Sequence, residues 1–114
     1  MAEKRFEFPA MIRNLPEIDV PLEGVRGRLL QGEGRQAVFF EIEPIGAIPE
    51  HSHGAQFGVV LEGEMSLTID GKTRRYGRGD AYYIPAGVPH GAVFHTAFRA
   101  IDVFDEPARY RKKG

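Results

Sequence analysis

Apolar and polar residues alternate in short runs from Val25 to Phe104, and glycine-containing turns separate the runs. Val25–Gln31 and residues 35–43 flank Gly32-Glu33-Gly34, which predicts two strands joined by a hairpin. In the second run Val38, Phe40 and Ile42 share one face, while Phe39, Glu41 and Glu43 share the other. Pro44, Gly46 and Pro49 predict a loop next. Strands are then expected at 57–61 and Met65–Ile69 around Glu62-Gly63-Glu64, and Asp70-Gly71 is a type I′ hairpin signal. Residues 74–76, Ala81–Ile84, 91–95 and Phe98–Phe104 complete the set. Strands about ten residues apart, with no convincing helix, predict an all-β sandwich or barrel over 25–108. Ahead of it, residues 1–24 form an arm in which Phe6, Phe8, Met11, Ile12, Leu15 and Ile18 are apolar. Pro9, Pro16 and Pro21 exclude a long helix there, so the arm is expected to close one end of the sheets or to pair with a second subunit. Residues 109–114 read as a basic, solvated tail.

Composition narrows this picture. A chain of 114 residues supports one hydrophobic core, and its 14 glycines and 8 prolines suit a domain of many short strands. The net charge of −1 offers nothing to attract nucleic acid. The absence of cysteine excludes a disulfide frame and a thiolate metal site. The N-terminus lacks the apolar core of a signal peptide, and no apolar run approaches the roughly 20 residues that cross a bilayer. A soluble, cytoplasmic protein is expected, with a small-molecule substrate as its partner.

The candidate chemistry lies in two stretches. His51 and His53 are two residues apart, a spacing that places both imidazoles on one face of a strand, and Gln56 follows. A third histidine, His90, comes directly after Pro85-Ala86-Gly87-Val88-Pro89. Any one of these histidines is more often an ordinary surface or core residue. Together, three imidazoles and an amide oxygen can converge on one divalent metal. His95, five residues after His90, is expected to face away. Asp102 is the candidate general acid/base, since a carboxylate beside a metal-bound substrate can move protons when its surroundings tune its pKa. Arg109 could pair with a substrate carboxylate. Tyr82 and Tyr83 alternate, so one of them faces the interior. Tyr82 and Phe104 are the candidate substrate-pocket residues. Glu62 and Glu64 flank a turn and read as solvated rather than as a carboxylate pair.

The stretches GAIPEHSHGAQFGVVLEGE and GDAYYIPAGVPHG resemble the two sequence motifs of the cupin superfamily. Gly46, His51, His53, Gln56 and Gly63 occupy the places of the first; Gly79, Pro85, Gly87 and His90 those of the second. The resemblance implies a jelly-roll barrel of two sheets. It also implies one divalent transition metal (nickel, zinc, manganese or iron) held by His51, His53, Gln56 and His90. The spacers on either side of His51-x-His53 are each one residue shorter than the usual pattern. Gln56 stands where many cupins carry glutamate. Four neutral ligands leave the ion's charge to attract an anionic substrate, and they suit Lewis-acid chemistry better than the His/carboxylate triad of iron oxygenases. The run IDVFDEPARY resembles the tail of small single-domain cupins of the pectin-degradation type, which act on unsaturated uronates. Asp102 and Phe104 match that tail, and Arg109 falls one place later than its arginine. The implied function is an isomerase or lyase acting on a small anionic, oxygen-rich substrate such as a sugar acid, with Asp102 moving a proton and Arg109 steadying a carboxylate. A metal-dependent dioxygenase and a non-catalytic binding module are the alternatives. The apolar arm and the open sheet edges suggest a homodimer.

Overall fold

The computed structural model describes residues 6–114, so the first five residues of the arm lie outside it. Nine strands form two antiparallel sheets: β1 (Val25–Gln31), β2 (Gln36–Ile42), β3 (Gly46–His51), β4 (Gln56–Glu62), β5 (Met65–Ile69), β6 (Lys72–Tyr76), β7 (Ala81–Ile84), β8 (His90–Phe94) and β9 (Phe98–Phe104). One sheet runs β1-β2-β9-β4-β7 and the other β3-β8-β5-β6, which is the expected all-β jelly-roll barrel. The alternation expected for β2 holds, with Gln36, Val38, Phe40 and Ile42 buried and the residues between them part-exposed. On β9, Phe98, Ala100, Asp102 and Phe104 point inward. Asp70 (φ 50°) and Gly71 (φ 76°) make the turn between β5 and β6, as a type I′ hairpin requires. No helix of the described residues is long and apolar enough to cross a membrane.

One expected loop is a strand. Residues 46–51, punctuated by Gly46 and Pro49, form β3 and pair with β8, with an irregularity between Ile48 and His51. Pro49 is tolerated because β3 is an edge strand and the irregularity spans the proline, where no ladder N–H is required.

The arm and the tail together close the edge of β1. A one-turn helix, α1 (Ala10–Arg13), follows Phe8, which is buried edge-on against Phe39 at 5.7 Å on the outer face of the larger sheet. The chain then runs alongside β1: Leu29 donates its N–H to the Pro16 carbonyl (2.8 Å), and Ile18 donates to Gly27 (3.0 Å). Gly27 makes room for this, since a Cβ there would lie 2.7 Å from Ile18 Cδ1 and 2.8 Å from Val38 Cγ1. The tail, expected to be a solvated end, instead lies along the arm. Asp19 N–H donates to the Arg111 carbonyl and Lys113 N–H to the Glu17 carbonyl, both at 2.8 Å. What draws it in is Gln36, only 1% exposed. Its Oε1 accepts from Tyr110 N–H (2.9 Å), and its Nε2 donates to the Tyr110 carbonyl and to Gln31 Oε1 (2.8 Å each).

Gln36→Leu leaves both backbone groups of Tyr110 without their partner and is expected to destabilise the protein by about 2 kcal/mol in urea unfolding. Amide exchange at Asp19 and Lys113 should accelerate with it. Unchanged protection at those two amides would show that Gln36 does not hold the tail.

Candidate metal centre

His51 ends β3 and His90 begins β8, and the two stand opposite each other in the register of that pair. His53 arrives differently from the expectation. It lies two residues beyond the end of β3, so strand alternation does not orient it. The loop does: Gly54 N–H donates to Glu106 Oε1 (2.7 Å), and Gly87 N–H, from the turn before His90, donates to the His53 carbonyl (2.9 Å). A Cβ on Gly54 would sit 2.8 Å from that Glu106 oxygen, so the loop also depends on glycine. The three imidazoles end with ring centroids 4.3–5.2 Å apart.

Each histidine gives its Nδ1–H to a main-chain carbonyl: His51 to Pro49 (2.9 Å), His53 to Gly54 (2.8 Å) and His90 to Val88 (2.9 Å). A carbonyl can only accept, so all three rings are held as the tautomer whose Nε2 carries a lone pair. These nitrogens converge. Potential ligand atoms of the three residues all lie within 4.8 Å of one another, and His53 Nε2 and His90 Nε2 are 3.1 Å apart. Two bare acceptors at that distance repel unless a proton or a cation lies between them, and metal–nitrogen bonds of about 2.0–2.1 Å set ligand nitrogens roughly 3 Å apart. The residues present therefore fit a divalent metal. Burial lowers the His53 pKa to about 4, with the Arg109, His90 and His51 charges adding to it and the bond to Gly54 opposing. Burial likewise lowers His90. Proton competition for these two rings is correspondingly weak.

A second cluster adjoins the histidines. Asp102, 2% exposed, projects inward from β9, and its Oδ1 accepts from Tyr82 O–H (2.7 Å) and Gln56 Nε2 (2.8 Å). Giving its amide hydrogen to Asp102 leaves Gln56 Oε1 as the amide's acceptor atom, the one that could coordinate a metal. Burial raises the Asp102 carboxyl to about 6 despite both hydrogen bonds, and burial beside that carboxylate raises Tyr82 as well. The cluster fits only because residue 58 is glycine, since a Cβ there would lie 2.3 Å from both Asp102 Oδ1 and Tyr82 Cζ. A lone glycine inside a strand is the sequence signal that could have marked it.

Histidines, Gln56, Asp102, Tyr82 and Arg109 all line one cavity of about 660 Å³. Arg109 reaches it because the tail folds back; its guanidinium stacks 4.5 Å from the Tyr110 ring centroid, and its buried Nε has no hydrogen-bond partner. Tyr82 is the inward member of its pair at 7% exposure, and Tyr83 is outward at 59%. Phe104, expected in the pocket, does not line it. Fully buried, it packs against His53 (5.6 Å) and Tyr110 (5.4 Å) from behind, so it supports the site rather than facing a ligand. His95 is exposed and bonded to Ser66, as its spacing suggests. Glu64 pairs with Arg75. Gln36, Gly58 and Glu106 have positioning roles that the linear sequence did not single out.

Comparison with known proteins agrees with this geometry. The Cupin domain profile matches residues 38–104. KdgF from a Halomonas species is 26% identical with a TM-score of 0.70, over 81% of this chain and 86% of that one. An RmlC-like cupin from Shewanella frigidimarina is 29% identical with a TM-score of 0.73, over 94% of both chains. Bacillus subtilis oxalate decarboxylase, a protein with Mn(II) centres, shares the fold at 22% identity and a TM-score of 0.71; this chain spans 31% of its length. No protein of curated function matches the sequence.

The two clusters make opposite demands on pH in the metal-free protein. His53, lowered on folding, contributes stability that is fully present above the unfolded histidine pKa and lost as pH falls towards about 4. Asp102, raised on folding, contributes stability present below the unfolded carboxyl pKa and lost as pH rises through about 6. Urea unfolding at pH 7.5 and pH 5 should therefore show wild type losing ground to His53→Asn on acidification and gaining on Asp102→Asn. Each change should be on the order of 1 kcal/mol once solvent access is allowed for. Gaps that stay constant with pH would contradict both assignments.

Proposed function

The chain belongs to the cupin family, and from this premise we propose that it is a divalent-metal isomerase or lyase acting on a small anionic substrate with oxygen donors. The observation that carries the reading is the meeting of three convergent imidazoles with a buried carboxyl in one cavity. His51, His53 and His90 would hold the ion through Nε2 and Gln56 through Oε1, with nickel, zinc, manganese and iron as candidates. Such an ion supplies Lewis acidity towards a carbonyl or hydroxyl oxygen. None of these side chains brings a negative charge, so the site favours an anion over a neutral ligand.

Asp102 is the proton carrier in this reading. Tyr82 and Gln56 both hold its Oδ1, which leaves Oδ2 to take or give the proton. A carboxyl near 6 exchanges protons readily at neutral pH. Tyr82 positions Asp102, and Arg109 offers its planar fork to the substrate carboxylate. Sugar acids, unsaturated uronates among them, are the class implied by the resemblance to pectin-degradation cupins. A dioxygenase fits the four neutral ligands less well.

Protein purified without chelator should carry about one divalent ion per chain, and replacement of His51, His53 and His90 with alanine should abolish it. Asp102→Asn should retain the ion and lower turnover of an acid substrate by roughly 10²–10⁴-fold. Full turnover in that variant would remove Asp102 from the mechanism, and binding without product would favour a non-catalytic module. Iron-dependent oxygen uptake would favour a dioxygenase.

The proposal includes a homodimer, now through a face rather than the β1 edge that the arm covers. Leu30, Ala37, Val103, Phe57 and Tyr83 stand in one row across the outside of the five-stranded sheet, and the four large members are exposed. An apolar row this long supports burial against a second copy. Light scattering should give a dimeric mass at micromolar concentration and a monomer for Phe57→Glu; a monomeric wild type would refute it.

A further inference from the structure

The cavity is graded along the strands. On β8 the inward residues run His90, Ala92, Phe94; on β9, Asp102, Ala100, Phe98; on β2, Val38, Phe40, Ile42. On β5, Leu67 stands opposite Ala92, and Met65 opposite Phe94. At about 3.4 Å per residue, the barrel continues roughly 14 Å from the level of His90 to that of Phe94. The hollow follows it, for Leu67, Met65, Phe94, Phe98, Phe40 and Ile42 all line the cavity. Space exists at the middle level because residue 92 is alanine, flanked by Ile48 and Leu67 on the neighbouring strands. Beyond the level of His90 and Asp102 no inward position of β2, β5, β8 or β9 is polar; the further polar lining, Asp19, Glu50 and Arg111, is exposed and comes from the arm, β3 and the tail.

We infer that the substrate carries its anionic, metal-facing head on an apolar body: an acid with an alkyl or aryl substituent rather than a polyhydroxylated one. The inference rests on the metal-and-proton reading above, keeps its anionic substrate, and puts an apolar body in place of the sugar acid that the resemblance implies. A free sugar acid carries oxygen on all or nearly all of its carbons. Seated head-first at the histidines, it either stops short of the far compartment or turns hydroxyls towards Leu67, Met65 and Phe94, where they find no partner. An alkyl or aryl group loses nothing there and removes apolar wall from water.

The test is calorimetric binding to the zinc-loaded protein of straight-chain 2-oxo acids from pyruvate to 2-oxooctanoate, beside galacturonate. Affinity should rise about fourfold per added methylene until the compartment is full, and 2-oxooctanoate should bind more tightly than galacturonate. Ala92→Leu and, independently, Ile48→Phe fill the middle level from two strands, and either should flatten the series. Affinity that is level or falling with chain length, or galacturonate as the tightest ligand, would overturn the inference while leaving the metal reading intact. Failure of pyruvate to bind, or its binding unchanged when His51 and His53 are replaced with alanine, would sink the underlying reading and this inference with it.

Discussion

Pro49, Gly54 and Val88 each offer a carbonyl oxygen to the Nδ1 of a histidine, and the rest of the site has to accommodate that arrangement. A free imidazole can exchange tautomers and turn its N–H towards a neighbouring lone pair. These three cannot without giving up a main-chain hydrogen bond, and for His53 and His90 that bond is part-buried, where leaving it unmade is expensive. The outcome is a concentration of acceptor nitrogens, two of them 3.1 Å apart, with no donor of their own to relieve it. Protonation is a poor remedy, because burial and the Arg109 charge lower the His53 pKa to about 4. A divalent cation seated among the lone pairs relieves it. The backbone thus decides what the side chains can bind, and the three carbonyls come from an edge-strand irregularity, a glycine loop and a proline turn.

The neighbouring cluster shows the same economy of polar groups. Asp102 is buried completely enough that desolvation outweighs two good hydrogen bonds. Gln56 joins the two clusters by giving its amide hydrogen to the carboxylate. A glutamate at position 56 would set a second carboxylate against Asp102, where like charges in a low-dielectric site force one of them to stay protonated. The exchange of glutamate for glutamine is therefore explained as much by Asp102 as by the metal. The two positions constrain each other, and Gly58 provides the volume that both need.

The fold was largely legible because alternation and turn chemistry agree at nearly every strand, from the β1–β2 hairpin to the Asp70-Gly71 turn. The exception, β3, was hidden by Pro44, Gly46 and Pro49, residues whose local signal is a loop and whose tolerance depends on being at a sheet edge. The three histidines that could hold a metal were legible from their types and spacing, yet the reason given for His53 was wrong: a loop pinned by Glu106, 53 places along the chain, orients it, and strand parity does not. Phe104 shared a face with Asp102 and so read as pocket-lining, but parity cannot tell a residue that faces the hollow from one that fills the wall behind it. Gln36, Gly58 and Glu106 carry roles that exist only through partners 24 to 74 residues away, contacts that no local pattern encodes.

The tail shows how far a site can depend on structure that looks expendable. Arg109 reaches the cavity only because Tyr110 is held on both sides of its peptide by the buried amide of Gln36, on the strand that also packs Phe40 against Phe104. Tyr110 in turn packs on Phe40 and Phe104, and Phe104 backs His53. One chain of contacts therefore runs from the barrel core through an aromatic cluster to both the cationic and the imidazole sides of the site. The arm's pairing with Arg111 and Lys113 adds a second anchor, and the same arm places Val20 and Leu22 on the cavity wall. Loosening the tail would then cost more than the packing of six terminal residues. It would withdraw the guanidinium and open the apolar side of the cavity to water together, so ligand affinity and terminal order are coupled through the same contacts.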